Sequence, residues 1–377
     1  MIGDRLRRLA ALSTLGVYLL AILEVAVMST PFAAYYYAAY SPVLGLLQRS
    51  AYSGWLSAFF VTHLSEPDSA FLAGFVVFGR VLAYGGLSLF VVHAIYLYWM
   101  KFGRRAVASK MLYAFVRHPQ YACLMVAGLG FAIMWPRFVN LILFMAMSAA
   151  YFVLVRVEER WMLARHGAGY RDYAEGKPMF LPGNPGGRLV RALFGWAPAG
   201  RMRGSLVATA VFTSVMASSC GLRAYSVASL RTYRPVTSPN TLVIALDPPA
   251  AAELDDVASR AARAVASTEG AGGSSTLVYL IWDAKLLRHF LIDAGVRRDV
   301  FEEIEIPEAR VFVVAASIRA FGAADRRVRV DAPEAALGMR CLRRLEGIRY
   351  QTAESEDWHE FRLPDDAVLG HASLPAL

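Results

Sequence analysis

A few polar residues set against long apolar runs are the part of this sequence best suited to chemistry. Arg117 and His118 stand at the mouth of an apolar run, where a cation and a titratable ring are costly unless they are paired or used. Pro119 follows them. It disfavours helix at His118 and suits the first turn of the next helix. That helix start offers free N–H groups and positive dipole to an anion such as a ligand carboxylate. Forty positions after His118, two adjacent carboxylates, Glu158 and Glu159, close an apolar hairpin. If each leg is one helix, the hairpin returns both carboxylates to the face where His118 sits. A basic mouth, a helix N-terminus and paired carboxylates in one place can bind a zwitterionic ligand, and spacing alone goes no further.

Metal chemistry has no support. The 7 histidines form no HExxH or close pair, and the 3 cysteines (Cys123, Cys220, Cys341) are scattered, giving neither a metal knuckle nor a disulfide framework. No GxGxxG follows a strand, so dinucleotide binding is equally unsupported.

The elements that must position these residues are membrane helices. Hydrophobic residues make up 56% of the 377-residue chain and charged residues 18%, against about 25% charged in ordinary soluble domains. One apolar run extends from Ala10 to Met28 behind Arg5, Arg7 and Arg8. Glu24 inside it, and the lack of a small-residue cleavage site after it, favour an uncleaved helix over a signal peptide. Ser29 to Asp68 is a Tyr-, Ser- and Pro-containing stretch suited to the headgroup level. Ala70–Met100 is a second run, broken by Arg80 and His93. Tyr121–Trp135 and Phe138–Val155, split by Pro136-Arg137, form the hairpin, and Ser205–Ser219 is a weaker final run. About five crossings are expected. Positive charge clusters before the hairpin (Lys101, Arg104, Arg105, Lys110, Arg117) and after it (Arg156 to Arg203). Both clusters, and the N-terminus, are therefore assigned to the cytoplasm.

Beyond Arg234 the chain changes character. The residues through Arg234 carry 23 basic and 8 acidic side chains (+15); the remainder carries 16 and 22 (−6). The basic half is also the apolar half, so its partner is an anionic bilayer rather than nucleic acid. Thr241–Ala245, Thr276–Trp282, Arg310–Ser317 and Val328–Val330 read as strands, Ala250–Ser267 and Pro333–Leu345 as helices, and Gly270–Ser275 as a loop. The expected fold is an all-α polytopic membrane domain (1–200), a last transmembrane segment and linker (201–234), and a small soluble α/β or α+β domain (235–377). With about five crossings, that tail domain is placed outside the cytoplasm. Arg201 and Arg203, the apolar run and Ala217–Cys220 also look like a lipoprotein signal with an imperfect cleavage box; its internal position argues against processing.

The order R-H-P-Q-Y (Arg117–Tyr121), apolar hairpin, E-E (Glu158-Glu159), G-A-G-Y-R-D-Y (Gly167–Tyr173) and P-M-F-L-P (Pro178–Pro182) resembles the core of the isoprenylcysteine carboxyl methyltransferase and phospholipid methyltransferase group. The resemblance covers about a fifth of the chain. It implies a polytopic, S-adenosylmethionine-dependent enzyme without a Rossmann domain. By that resemblance Tyr113, His118, Pro119, Tyr121, Glu158, Glu159, Tyr170 and Tyr173 contribute to the S-adenosylmethionine site, with Arg117 orienting the acceptor or the cofactor carboxylate. Arg117, Glu158 and Glu159 are then the catalytic candidates. The pattern departs at Met111-Leu112, where related sequences carry Gly-Pro, and at Cys123, where they often carry Gly.

Plainer readings stand beside this one. Glu158-Glu159 flanked by Arg156 and Arg160 is also what a solvated membrane interface looks like, and Tyr170 and Tyr173 are ordinary interfacial aromatics. The rival functions are a non-catalytic anchor presenting the tail to a partner, and a nicotinamide-dependent membrane enzyme resembling sterol reductases. An excess of 35 Arg over 4 Lys is the habit of GC-rich bacterial genomes. The location expected is therefore a bacterial inner membrane, and the acceptor a lipid, an isoprenoid or a small thiol, amine or carboxylate.

Overall fold

The computed structural model describes residues 19, 22–37, 41–61, 69–102, 110–236, 238–246, 251–266, 275–296, 304–321 and 337–364. Helices dominate up to residue 228: α1 (22–37), α2 (Ser41–Gln48), α3 (Ala70–Phe102), α4 (Pro119–Met134), α5 (Phe138–His166), α6 (Ala168–Ala174), α7 (Pro185–Phe194) and α8 (Arg201–Ala228). Three of them, α3, α5 and α8, are long and apolar enough to cross a membrane. At 16 residues α4 is shorter, about 24 Å at 1.5 Å per residue. The chain groups into two compact units: residues 1–39, 77–134 and 140–214, and residues 40–76, 135–139 and 215–377.

In the first unit, punctuation explains the hairpin. Pro119 occupies the first turn of α4, where its missing N–H is no loss, and Pro136 stands where the helix has stopped. α5 then runs without Gly or Pro until Gly167, whose left-handed φ of 54° ends it. Arg165 and His166 in its last turn suit the negative end of the dipole. α3 lies against α4 through small residues. A Cβ on Gly86 would lie 2.6 Å from Ala127 N, and one on Gly130 would strike the Ala83 main chain. Such close backbone approach is what holds helices together where lipid removes the hydrophobic drive. α1 adds aromatic packing: Phe32 and Phe131 rings are 5.9 Å apart, and Tyr35 donates to the Gly128 carbonyl at 3.0 Å.

The second unit carries the sheet. Its strands β1 (Thr232–Tyr233), β2 (Thr241–Leu246), β3 (Thr276–Ile281), β4 (Val311–Ala320), β5 (Cys341–Gln351) and β6 (His359–Phe361) lie in sequence order. β2 and β3 are parallel, joined through α9 (Ala251–Ala266); the other pairs are antiparallel. β2 and β3 are apolar on both faces because both are covered. Leu242, Ile244, Leu277 and Tyr279 pack with α10 (Ala284–Asp293), and Val243 and Val278 with α9. In the same unit the hairpin turn pairs with the segment after the short 3₁₀ helix Gly54–Ser57. Phe138 N donates to Ala58 O at 3.1 Å, and the Arg137 guanidinium donates to Ser57 O at 2.6 Å while lying 4.0 Å over the Phe59 ring.

Several expectations are corrected. The first helix passes Met28 and Pro31 and continues to residue 37, with Phe32 and Tyr35 packed on α4 and α5. α5 outlasts Val155 by three turns, so the paired glutamates sit within a helix and not after one. Cys341–Leu345 is strand, not helix; the i, i+3 spacing of Leu342 and Leu345 mimicked a helix, but β4 required a partner, and a bulge at Ala315/Ala316 absorbs the irregular register. The proposed strand Val328–Val330 lies outside the described residues, as do most of the Gly270–Ser275 loop and the N-terminal part of the first apolar run.

Candidate active site

Where α4 begins, the chain arrives in extended form because Pro119 keeps His118 out of the helical region. The Arg117 and His118 amides then pair with the main chain of the Pro-Met strap: Arg117 N to Pro178 O at 3.0 Å and His118 N to Met179 O at 3.1 Å. The P-M-F-L-P element thereby folds back on R-H-P and fixes both side chains at the α4 entrance.

Those side chains meet α5. Glu159 accepts from Arg117 Nη1 at 2.9 Å and contacts His118 Nε2 at 3.2 Å. His118 Nδ1 is 3.7 Å from Glu158. Forty residues of hairpin are thus closed by one carboxylate between a guanidinium and an imidazole. Glu159 is 16% exposed and Glu158 48%, so the first is a sequestered anchor and the second still faces outward. The neighbouring arginines are engaged elsewhere: Arg156 lies over the Phe152 ring, and Arg160 donates to the Arg156 carbonyl. The direct contacts of Glu159 are with the α4 entrance, and the Arg156 charge adds to the attraction of Arg117 and His118 for its carboxylate.

Tyrosines wall the cluster. Tyr121 is buried between α4 and α5, its ring 6.0 Å from His118 and 5.3 Å from Tyr151. Tyr113, in the 3₁₀ turn Met111–Ala114, is buried, and its carbonyl accepts from Tyr173 Oη at 3.4 Å and Lys177 Nζ at 3.3 Å. Tyr170 and Tyr173 lie on α6 with rings 6.0 Å apart. Burial, with the Glu159 charge behind it, pushes the Tyr170 phenol up to about 12, and burial also raises Tyr113 and Tyr173. All three stay protonated at neutral pH, and Tyr173 donates to the Tyr113 carbonyl. Every candidate site residue therefore lies in this one neighbourhood.

Three of its members were not read from the sequence. Lys177 seemed only one of many cytoplasmic cations, yet it clamps Tyr113 and lies 4.0 Å over the Tyr173 ring. Gln120 is buried with its amide nitrogen unpartnered. His93 on α3 is buried, with Nε2 unpartnered and its ring 6.3 Å from Tyr113. His93 interrupted an apolar run, and that was the only signal available.

Unsatisfied polar atoms are informative because leaving one buried costs about 1–3 kcal/mol. Tyr113 Oη, Arg117 Nε and Gln120 Nε2 are buried without a partner. They are donors, beside the free N–H groups of α4's first turn, with carboxylates and aromatic rings adjoining. That set suits a ligand carrying a carboxylate, a cationic centre and a flat ring. Among the described residues no group of three or more His, Cys, Asp or Glu could hold a metal.

In sequence comparison, residues 98–168 match the model of the phospholipid methyltransferase family. The matched segment begins near the end of α3, contains R-H-P, the whole hairpin and Glu158-Glu159, and stops just before Tyr170. The family is one of methyltransferases that generally use S-adenosylmethionine. No curated protein and no solved structure matches the chain.

Proposed function

We propose that the protein is an integral membrane methyltransferase that transfers the methyl of S-adenosylmethionine to a lipid-like, isoprenoid or small thiol, amine or carboxylate acceptor. The observation that carries this reading is Glu159 held between Arg117 and His118 at the start of α4, inside the segment that matches the family. The residues fit the cofactor. The α4 N-terminus, Arg117 and Gln120 take its carboxylate; Glu158 and Glu159 take its ammonium and balance the sulfonium; Tyr113, Tyr121 and Tyr170 enclose the remainder. When bound, S-adenosylmethionine supplies an electrophilic methyl, whose bonding pair departs with sulfur as a neutral thioether.

The chain's own residues then align, exclude water and manage a proton. Arg117 and His118 hold Glu159 in one position, so the cationic centre meets a carboxylate that need not reorganise. The strap at Pro178–Met179 and the α6 tyrosines shut out water, which strengthens these charges and protects against hydrolysis. A carboxylate or thiolate acceptor needs no base. An amine acceptor loses a proton, and Glu158, the more exposed carboxylate, is placed to accept it.

The membrane arrangement follows the same reading. α1, α3, α4, α5 and α8 give five crossings; the site, the N-terminus and the basic clusters are cytoplasmic, and the domain from 235 onward is extracytoplasmic. Residues 1–200 form the enzyme, 201–234 the last crossing and linker, and 235–377 a separate α/β domain.

Methyl-labelled S-adenosylmethionine incubated with the nanodisc-reconstituted protein and a bacterial lipid extract tests this. Label should pass from S-adenosylmethionine to a product, in the organic phase for a lipid or isoprenoid acceptor and in the aqueous phase for a small one, and that product should disappear with Glu159→Gln. Label that stays on S-adenosylmethionine with every acceptor class would overturn the reading.

A further inference from the structure

Among the described residues of the membrane half, α7 is the one helix with no buried residue. Asn184 caps it, accepting from Gly187 N at 3.0 Å, and Pro185 opens its first turn. Leu189 and Leu193, one turn apart, are 60% and 56% exposed, and Trp196 just beyond is 74% exposed. At about 100° per residue Arg188 and Arg191 share the opposite stripe. An isolated water-facing helix has no reason to show leucines and a tryptophan on one side; an interfacial helix does.

Its connections fix where that apolar side is presented. Upstream, the Pro178–Met179 strap is bonded to Arg117 and His118 at the head of α4. Downstream, Arg203 in the first turn of α8, a helix apolar enough to span, donates to Ala197 O at 3.0 Å and to Gly195 O at 3.3 Å. α7 is thus tethered at both ends to the same ends of membrane helices. Its charge selects the occupant: no Asp or Glu occurs between Glu175 and Asp247, while Lys177, Arg188, Arg191, Arg201 and Arg203 do. Basic side chains above buried leucines match an anionic headgroup layer.

We infer that α7 is an interfacial helix that docks on anionic phospholipid, with Leu189, Leu193 and Trp196 in the acyl boundary and Arg188 and Arg191 on the lipid phosphates. The inference does not depend on methyl transfer, and its test contains none.

The full-length protein is placed in nanodiscs of phosphatidylglycerol or phosphatidylcholine whose acyl chains carry bromine near the headgroup end. Subtracting the emission of Trp196→Phe isolates that ring among the 7 tryptophans. The Trp196 component should be quenched, and more strongly in phosphatidylglycerol. Arg188→Gln and Arg191→Gln should each lower the docked-to-undocked ratio about fivefold in phosphatidylglycerol and leave phosphatidylcholine unchanged. Both side chains are exposed, so the variants keep the fold, which an unchanged melting temperature verifies. A Trp196 component unquenched in both lipids, or quenched equally with no effect of the arginine changes, overturns the inference.

Discussion

Glu159 accepts from two donors that the chain brings from forty positions away, and its removal leaves Arg117 partly buried beside a buried imidazole. Glu159→Gln should therefore weaken S-adenosylmethionine binding about 30-fold, about 2 kcal/mol, measured by calorimetry. Glu158→Gln removes an exposed charge and should leave the melting transition within about 0.5 kcal/mol. Met111 is a separate case: its φ of 59° is left-handed, a conformation costing a side-chain-bearing residue about 1–2 kcal/mol. Related sequences carry glycine there, so the departure noticed in the sequence is a strained one. Met111→Gly should raise the melting temperature without altering cofactor affinity, and a lowered one would contradict this. Tyr170 gives the pH response. Its phenol is raised from an unfolded value of about 10 to about 12, so the stability from burying the neutral ring is complete below pH 10 and lost as pH rises towards 12. Tyr170→Phe should flatten that alkaline loss in a melting-temperature series.

At the level of elements, α3 and α4 stay together because Gly86 and Gly130 admit the opposing backbone. Gly130→Leu cannot be accommodated without parting the helices. It should destabilise by about 1–3 kcal/mol and loosen the site at the α4 entrance, read as a lower melting temperature in detergent with weakened cofactor binding. The hairpin was legible because apolar runs, Pro119 and Pro136 punctuate it unambiguously. Its strap was legible only as a motif, since the Arg117–Pro178 and His118–Met179 pairing is main chain to main chain. α7 was hidden because Pro185, Gly186 and Gly187 open it, and β5 because Leu342 and Leu345 stand at helical spacing. α10 escaped notice although Leu286, Leu287, Phe290 and Leu291 are helically spaced, because it directly follows a strand.

For the whole molecule, the charge change near Arg234 marked where membrane helices give way to a sheet, and composition alone made that visible. Which residues accompany the sheet was not visible: 135–139 and 40–76 group with it, and the Arg223 guanidinium, which donates to both the Phe59 and the Leu337 carbonyls, is a link that no pattern encodes. The tail has its own two-faced core. Phe290→Ala, which removes a ring 4.9 Å from Tyr279, should cost that core about 3–5 kcal/mol. Proteolysis of the region beyond Arg234 should follow, with cofactor binding retained. An alkaline phosphatase fusion at Leu377 should be active and a cytoplasmic fluorescent fusion dark; the reverse would remove one crossing from the proposed arrangement.

Calorimetric titration of S-adenosylmethionine into the detergent-purified protein, with Glu159→Gln and His118→Ala alongside, is the most direct measurement. Saturable binding by the native protein, lost or strongly weakened in both variants while their melting temperatures show folded protein, is the predicted result. No binding by folded native protein, or full affinity in both variants, would contradict the placement of the cofactor site between Arg117, His118 and Glu159.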